Sequence, residues 1–349
     1  MPPEPPGVSQ ECGSEYLAAP QTSVFTLIPG LTFPHSMLEA CHVTASDLPG
    51  VPAAGHATPA PIRTNVRGRT LVLRGSTAIS NLLTKAAAAF DAAYHTTTRV
   101  NPTTSQDGLM AVEHGQADIG LSDIFVQDAP DATVRSYALT DYPVGVVVFT
   151  LMVSPDLKDV VHNITTDQLI DIYSGKATNW RSLGGPDEPI TPIGREIGSG
   201  TQVSFEKYAL LSTPKDTNIE IAGTTNFMLD LLAKKRGAIG YAASTVFTGT
   251  TSPSAQPICL NGYGATLANV NSGAYPFWNY EHAYVKHAPA ATDTDTAGLF
   301  LRFVCSADFQ QKDLRGFGFL RIADLQPAAV AAHSGYPKPQ PCGSTSSAS

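Results

Sequence analysis

Short apolar runs alternate with helical patterns through most of the chain. Apolar runs at 70–74 and 190–193, and a predicted strand at 97–100, are each followed, after a turn of small residues, by apolar residues at helical spacing. The first of these helical patterns has its apolar residues on one face: Ile79, Leu82, Leu83, Ala86 and Phe90. Strands that alternate with helices in this way predict an α/β fold with largely parallel strands.

One apolar run is much longer than the others. Residues 142–153 are mostly apolar and β-branched, which is typical of a buried strand, and we expect this strand to cross between two lobes. A second crossing is expected at 241–245, after a predicted strand at 238–242. Further strands are predicted near 266–270 and 282–285. The length of 349 residues also favours two lobes over a single domain.

The predicted organisation has four parts. The first lobe is discontinuous and comprises residues 69–145 and 245–330, and the second lobe comprises residues 146–244. Residues 1–68 are rich in proline and are interpreted as an appendage that ends in a linker. The Ser/Thr-rich segment 331–349 is expected to be a disordered tail.

Charge and hydropathy exclude several classes of partner. Only 15% of the residues are charged and the formal net charge is −8, which argues against nucleic acid or an anionic membrane surface as partner. No apolar run approaches the roughly 20 residues that a membrane-spanning helix needs. If the ligand is an anion, local hydrogen-bond donors must bind it, because the field of the whole protein does not attract it.

The cysteines favour an oxidising compartment. There are five, without a CxxC motif or a Cys/His cluster, so they do not predict a metal site. We expect a periplasmic or extracellular protein whose signal has been removed and whose precursor is membrane-anchored. A Cys12–Cys41 bridge would hold the appendage, but the sequence leaves the pairing open, and at least one member is unpaired among Cys12, Cys41, Cys259, Cys305 and Cys342.

The segment 195–201 combines an arginine with a glycine turn at the start of a helix. It follows the apolar run 190–193 and reads Arg-Glu-Ile-Gly-Ser-Gly-Thr. Free N–H groups at a helix start, two hydroxyl groups and a planar guanidinium suit a tetrahedral oxyanion. The alternative is that Ser199 only caps the helix. From this segment alone, the two interpretations remain open.

Three other segments place polar groups where strands end. Gly75-Ser76-Thr77 follows one strand, 103–108 carries hydroxyl groups into a helix, and 117–123 ends on Ser-Asp. Ligands of open α/β sheets bind at the carboxyl ends of strands, which favours a binding role for Asp123. Ordinary helix caps and a surface-turn aspartate are the alternatives.

Taken in order, these motifs resemble those of the periplasmic phosphate-binding proteins of ABC transporters, a group of type II periplasmic binding proteins. The resemblance covers residues from about 70 to 325 and rests on Gly75-Ser76-Thr77, on Ser105 with Gly108, on 118–123, and on Arg195 with 198–201. It implies a two-lobe α/β fold with a hinge of two crossing strands and the ligand in the cleft.

The resemblance also implies a site and a role. The protein would capture inorganic phosphate and deliver it to an ABC transporter permease, as a monomer, without a cofactor, a metal or catalytic residues. Ala78 would contribute its backbone N–H. The expected phosphate-binding residues are Ser76, Thr77, Ala78, Ser105, Asp123, Arg195, Ser199, Gly200 and Thr201.

Two departures and several alternatives accompany this prediction. The family usually has an aspartate where Ile197 stands and an aromatic residue or hydroxyl where Ala78 stands, so Arg195 must be oriented by another residue or by the ligand alone. A receptor for another oxyanion, or a phosphate-sensing or secreted interaction protein of the same fold, is the alternative function. An enzyme is not expected, because the sequence around Ser199 lacks the G-x-S-x-G elbow and a P-loop is absent.

Overall fold

A computed structural model of the protein describes residues 24–28, 31–34, 66–216, 218–247, 254–287 and 295–333. The predicted Cys12–Cys41 bridge, the linker and most of the predicted tail lie outside these residues. Among the residues described, no helix has the length and apolar character needed to cross a membrane.

The strands within the described ranges are β1 (Val24–Ile28), β2 (Leu31–Pro34), β3 (Thr70–Ser76), β4 (Thr97–Thr103), β5 (Ile119–Ser122), β6 (Thr140–Val153), β7 (Asn163–Ile164), β8 (Thr191–Arg195), β9 (Glu220–Ala222), β10 (Ala238–Ala243), β11 (Gln256–Leu260) and β12 (Trp278–Val285). The α-helices of the same ranges are α1 (Ser80–Tyr94), α2 (Ser105–Glu113), α3 (Thr166–Tyr173), α4 (Gly200–Ser204), α5 (Thr225–Lys234), α6 (Leu267–Asn271), α7 (Thr296–Val304) and α8 (Pro327–Ala332). Two π-helical segments are Phe205–Ala209 and Phe309–Leu314.

The chain forms two compact units. Of the described residues, unit A contains 66–146, 280–287 and 295–324. Unit B contains the described residues 24–28, 31–34, 147–216, 218–247, 254–279 and 325–333. Strands β6 and β12 each begin in one unit and end in the other.

These units differ from the predicted lobes in residues 245–279 and 325–330, which belong to unit B. The second crossing therefore lies within β12 and not at 241–245. The physical reason is the pairing of β11, which lies antiparallel against Leu151–Val153 of β6 and parallel to β7. This pairing keeps the chain in unit B after β10.

One predicted strand is wrong. Residues 266–270 form the N-cap and most of helix α6, in which the Thr266 hydroxyl accepts a hydrogen bond from the Asn269 N–H at 3.2 Å. A threonine followed by apolar and β-branched residues suits either structure, and here its side chain satisfies an N–H at the helix start.

The sheet of unit A has the strand order β4-β3-β5-β12. Strands β3, β4 and β5 are parallel, and β12 is antiparallel to β5. The register pairs Ser76 with Thr103 and Gly75 with Leu121. The carboxyl ends of the three parallel strands therefore lie side by side at one edge, which we call the carboxyl edge of unit A.

Helix α1 packs its apolar stripe into the core of unit A. Leu82 and Phe90 are fully buried, as the helical spacing predicts, and the Phe90 ring lies edge-on to Phe300 of α7 with centroids 5.1 Å apart. Burying a side chain of this size contributes about 1.5–3 kcal/mol. This packing fixes where α1 begins at the carboxyl edge.

Glycines allow helix α2 to approach the sheet closely. A Cβ atom at Gly108 would lie 2.6 Å from the Arg74 carbonyl oxygen and 2.7 Å from that of Leu121. Backbone atoms cannot move away as a flexible side chain can, so only glycine fits. The close approach places the first turn of α2 against the end of β5.

Unit B contains a second parallel arrangement. Strand β8 is parallel to both β9 and β10, and β10 is antiparallel to β6. Its core includes Met152, Ile193, Met228 and Leu232, all fully buried. Helix α5, which supplies Met228 and Leu232, therefore packs on the strands that carry Arg195.

His333, just after α8, is stacked between two aromatic rings of unit B. Its ring centroid lies 3.7 Å from that of Tyr208 and 3.8 Å from that of Trp278, and its Nε2 is 3.2 Å from the Pro276 carbonyl oxygen. Burial, with a smaller contribution from the charge of Lys207, lowers the pKa of His333 from 6.5 to about 3, although backbone hydrogen bonds with Pro276 and Trp278 oppose the shift. The fold therefore favours the neutral imidazole.

We expect acid to weaken unit B through His333. Between pH 6.5 and about 3 the unfolded chain binds a proton at this residue and the folded chain does not. The free energy of unfolding therefore falls with decreasing pH in this window, by at most about 1.4 kcal/mol per pH unit. The measurement is urea unfolding at pH 7, 6, 5 and 4, followed by tryptophan fluorescence, because Trp278 lies against His333.

The matched control is His333→Phe, which keeps a stacked ring and removes the titrating group. The variant loses the contact with the Pro276 carbonyl, so it is less stable than the wild type at pH 7. The difference in the free energy of unfolding between the two proteins should become smaller as the pH falls. Equal slopes of stability against pH in both proteins would exclude this role for His333.

Candidate functional site

The first predicted motif lies at the carboxyl edge of unit A but does not cap its helix. The N-cap of α1 is Ile79, whose side chain cannot accept a hydrogen bond. The Ser76 hydroxyl, 2% exposed, instead accepts the Ala78 N–H at 3.1 Å, and the Ser80 hydroxyl donates to the Thr77 carbonyl at 3.1 Å. The helix-cap alternative therefore does not describe Ser76 or Thr77.

Ser105 and Asp123 form a buried pair at the same edge. Each is 1% exposed. The Ser105 hydroxyl donates to Asp123 Oδ1, and the Asp123 N–H donates to the Ser105 hydroxyl at 3.2 Å. The neighbouring Thr104 caps α2 by accepting the Asp107 N–H at 3.0 Å, which leaves the Ser105 side chain free of a capping role. The structure thus brings together two residues that are 18 positions apart.

Arg195 ends strand β8 of unit B and is 2% exposed. Its Nε donates to the Ala222 carbonyl at 3.0 Å, and its Nη2 makes a longer contact of 3.5 Å with the Gly223 carbonyl. Of the two outcomes that the absence of a carboxylate at position 197 leaves open, the structure shows the first: other residues orient Arg195. Ile197 itself is 78% exposed.

The glycine turn after Arg195 leads into helix α4. Gly198 has a φ of +92°, which a side chain rarely adopts, and the Ser199 N–H donates to the Glu196 carbonyl at 3.1 Å. Ser199 is the N-cap, and its hydroxyl accepts the Gln202 N–H at 3.4 Å. Ser199 and Thr201 are each 3% exposed. Ser199 therefore caps the helix. Because its oxygen only accepts in this bond, the cap does not exclude a second role in which the hydroxyl donates.

Aromatic residues that the sequence analysis did not assign to the site support β8. The Tyr241 hydroxyl accepts the Arg195 N–H at 3.2 Å, and the Tyr241 ring is stacked on Phe205 with centroids 3.8 Å apart. Burial raises the pKa of Tyr241, although Arg195 opposes this shift. The Tyr173 hydroxyl donates to the Ile193 carbonyl at 3.0 Å. These rings lie far from Arg195 in the sequence and meet β8 only in the folded chain, so the spacing of residues in the sequence could not identify them as part of the site.

The predicted residues fall into two groups. Unit A carries Ser76, Thr77, Ala78, Ser105 and Asp123, and unit B carries Arg195, Ser199, Gly200 and Thr201. The first group offers hydroxyl groups and one carboxylate acceptor, and the second offers a buried cation and hydroxyl groups. Over the described ranges, no group of three or more His, Cys, Asp or Glu side chains is arranged to hold a metal ion.

Both cysteines in the described part of the chain are oxidised. Cys259 at the end of β11 and Cys305 after α7 are each disulfide-bonded. Structural disulfides are typical of extracytoplasmic proteins, which agrees with the compartment that the sequence favours.

Comparison with known proteins gives one family and several relatives. The family model described as "PBP superfamily domain" matches residues 54–308. The chain is 32% identical over 258 residues to the phosphate-binding protein PstS of Bacillus subtilis, covering 74% of this chain and 82% of that protein. It is 25% identical over 174 residues to the protein of the same name from Staphylococcus epidermidis, covering 48% and 52% of the two chains.

Solved structures share the fold. A putative phosphate ABC transporter substrate-binding protein with bound phosphate from Clostridium perfringens matches with a TM-score of 0.62 at 22% identity, over 72% of this chain and 98% of that chain. An ABC-type phosphate transport receptor from Vibrio cholerae matches with a TM-score of 0.56 at 21% identity, over 72% and 99% of the two chains.

Proposed function

Because the chain belongs to the PBP superfamily and, within it, to the family of phosphate-binding proteins, we propose that it binds inorganic phosphate outside the cytoplasm and delivers it to the permease of an ABC transporter. Its fold is the α/β fold of the type II periplasmic binding proteins. The disulfide-bonded Cys259 and Cys305 support an extracytoplasmic location. The protein acts as a binding protein without catalysis, and as a monomer.

The observation that carries this proposal is the Ser105–Asp123 pair. A carboxylate that is 1% exposed at the carboxyl edge of a parallel sheet lies where α/β proteins bind their ligands. It can accept a hydrogen bond from a protonated oxyanion, and the Ser105 hydroxyl holds it in place. These properties suit phosphate, which keeps a proton near neutral pH.

Residues of both groups contribute to binding in this proposal. Arg195 supplies the positive charge, and the hydroxyl groups of Thr77, Ser199 and Thr201 supply donors. The backbone N–H groups of Ala78 and Gly200 add two further donors. Since the Ala78 N–H is bonded to the Ser76 hydroxyl, phosphate must share or replace that bond.

Isothermal titration calorimetry with phosphate, arsenate, sulfate and molybdate tests the function. We expect phosphate to bind with micromolar affinity or better, which corresponds to a binding free energy of about −8 kcal/mol or more negative. Arsenate should compete with phosphate, because it carries protons in the same way. As a control, the same titrations are repeated on protein that has been unfolded in urea and dialysed extensively, so that any anion bound during purification has been removed. If sulfate or molybdate binds tightly and phosphate does not, the protein is a receptor for another oxyanion.

A further inference from the structure

Glu281 on β12 is a fully buried acid that the proposed site does not yet use. Its exposed fraction is 0%. In the part of the chain that the structure describes, neither of its carboxyl oxygens has a hydrogen-bond partner. Buried polar groups in folded proteins are nearly always hydrogen-bonded, so an acid in this position calls for a functional reason.

The sheet register places Glu281 beside Asp123. Strand β12 pairs with β5 so that Ala283 is opposite Leu121 and His282 is opposite Ser122. Continuing this antiparallel register by one residue puts Glu281 opposite Asp123. Residues that are directly opposite share one face of the sheet, with Cβ atoms roughly 5 Å apart. The neighbouring His282 points to the other face, where its Nδ1 lies 2.9 Å from Asp141.

The surroundings of the two acids assign the proton between them. Asp123 accepts a hydrogen bond from the Ser105 hydroxyl. Glu281 has no such donor among the described residues, and burial, with the Asp123 carboxylate nearby, raises the pKa of Glu281 well above its usual value. Two carboxyl groups in different surroundings thus take different roles, Asp123 as an acceptor and Glu281 as the protonated acid.

We propose that Glu281 is a positioning residue of the phosphate site, a neutral carboxylic acid whose O–H donates to the Asp123 carboxylate through one water molecule. The donated hydrogen bond fixes the orientation of the Asp123 carboxyl group toward the proton of bound phosphate. This inference rests on the proposed phosphate-binding function. It explains the presence of an acid at a position where an apolar side chain would be easier to bury.

Two variants separate this role from a structural one. Glu281→Gln keeps a hydrogen-bond donor of the same shape, and phosphate affinity should match that of the wild type within about threefold. Glu281→Met keeps a similar volume and removes the donor, so phosphate affinity should fall about tenfold or more, and the preference for phosphate over sulfate should narrow. Thermal stability of the Met variant should equal or exceed that of the wild type, because an acid that is costly to bury has been replaced by an apolar side chain of similar volume.

Calorimetry with phosphate and sulfate, together with thermal unfolding, measures these effects in the full chain. Wild-type affinity in the Met variant, or an equal loss in the Gln and Met variants, would overturn the inference. If the wild type itself fails to bind phosphate, the proposed function is wrong, and the inference about Glu281 that rests on it is wrong as well.

Infrared spectroscopy tests the same inference without relying on the Met variant. The wild type at neutral pH should show the carbonyl stretch of a protonated carboxylic acid, shifted when phosphate is added, and Glu281→Gln should lack this band. A wild-type spectrum without it would mean that Glu281 is ionised and would overturn the inference.

Discussion

Replacing Arg195 with alanine is expected to weaken phosphate binding by about 2–5 kcal/mol, a loss of thirtyfold to several thousandfold. The guanidinium is 2% exposed, and its Nε is anchored by the Ala222 carbonyl at 3.0 Å. Because the guanidinium is buried, water screens its attraction for an anion poorly. Calorimetry with phosphate at one pH and one ionic strength measures the loss.

The lysine variant and a surface control sharpen this test. Arg195→Lys should also weaken binding, because an ammonium group cannot reproduce the planar fork that binds two oxygens. Arg236→Ala removes the same charge from unit B at a side chain that is 72% exposed and paired with Glu188, so its phosphate affinity should stay at the wild-type value. Unchanged affinity in folded Arg195→Ala would remove Arg195 from the site.

The elements that the sequence predicts well are those with strong local signals. The stripe of α1 and the long run of β6 are buried in the structure as their spacing indicates. The sequence predicts the second crossing at 241–245, whereas it lies within β12. The difference arises from β11, a short strand that holds the chain in unit B and whose assignment depends on its pairing with β6. Local patterns contain little information about such long-range pairing.

In the candidate site, too, the sequence identifies what has a local signal and misses what depends on long-range contacts. The motif residues themselves could be selected from the sequence, since each lies in a short segment of glycine and hydroxyl residues at the end of a strand. The groups that orient them could not. Tyr241 is 46 positions from Arg195, and the Ala222 carbonyl is 27 positions away. Glu281 lies opposite Asp123 only because β12 pairs with β5.

Asp123 is expected to give phosphate a preference over sulfate of roughly a thousandfold or more. Near neutral pH phosphate carries at least one proton and sulfate carries none. The Asp123 carboxylate can accept a hydrogen bond from a phosphate O–H, whereas facing sulfate it meets a bare anionic oxygen. Because Asp123 is 1% exposed, water screens this repulsion poorly and cannot replace the missing hydrogen bond.

The variant Asp123→Asn should reduce the difference in affinity between phosphate and sulfate. The amide can turn an N–H donor toward a sulfate oxygen, and it no longer repels that oxygen. Phosphate should weaken while sulfate strengthens, and titrating both proteins with both anions under one set of conditions measures the ratio. Asp308→Asn is the matched control, since it removes a carboxylate of unit A that is 72% exposed and paired with Lys312; its selectivity should equal that of the wild type. An unchanged phosphate-to-sulfate ratio in Asp123→Asn would mean that the hydroxyl and N–H donors, and not this carboxylate, distinguish the anions.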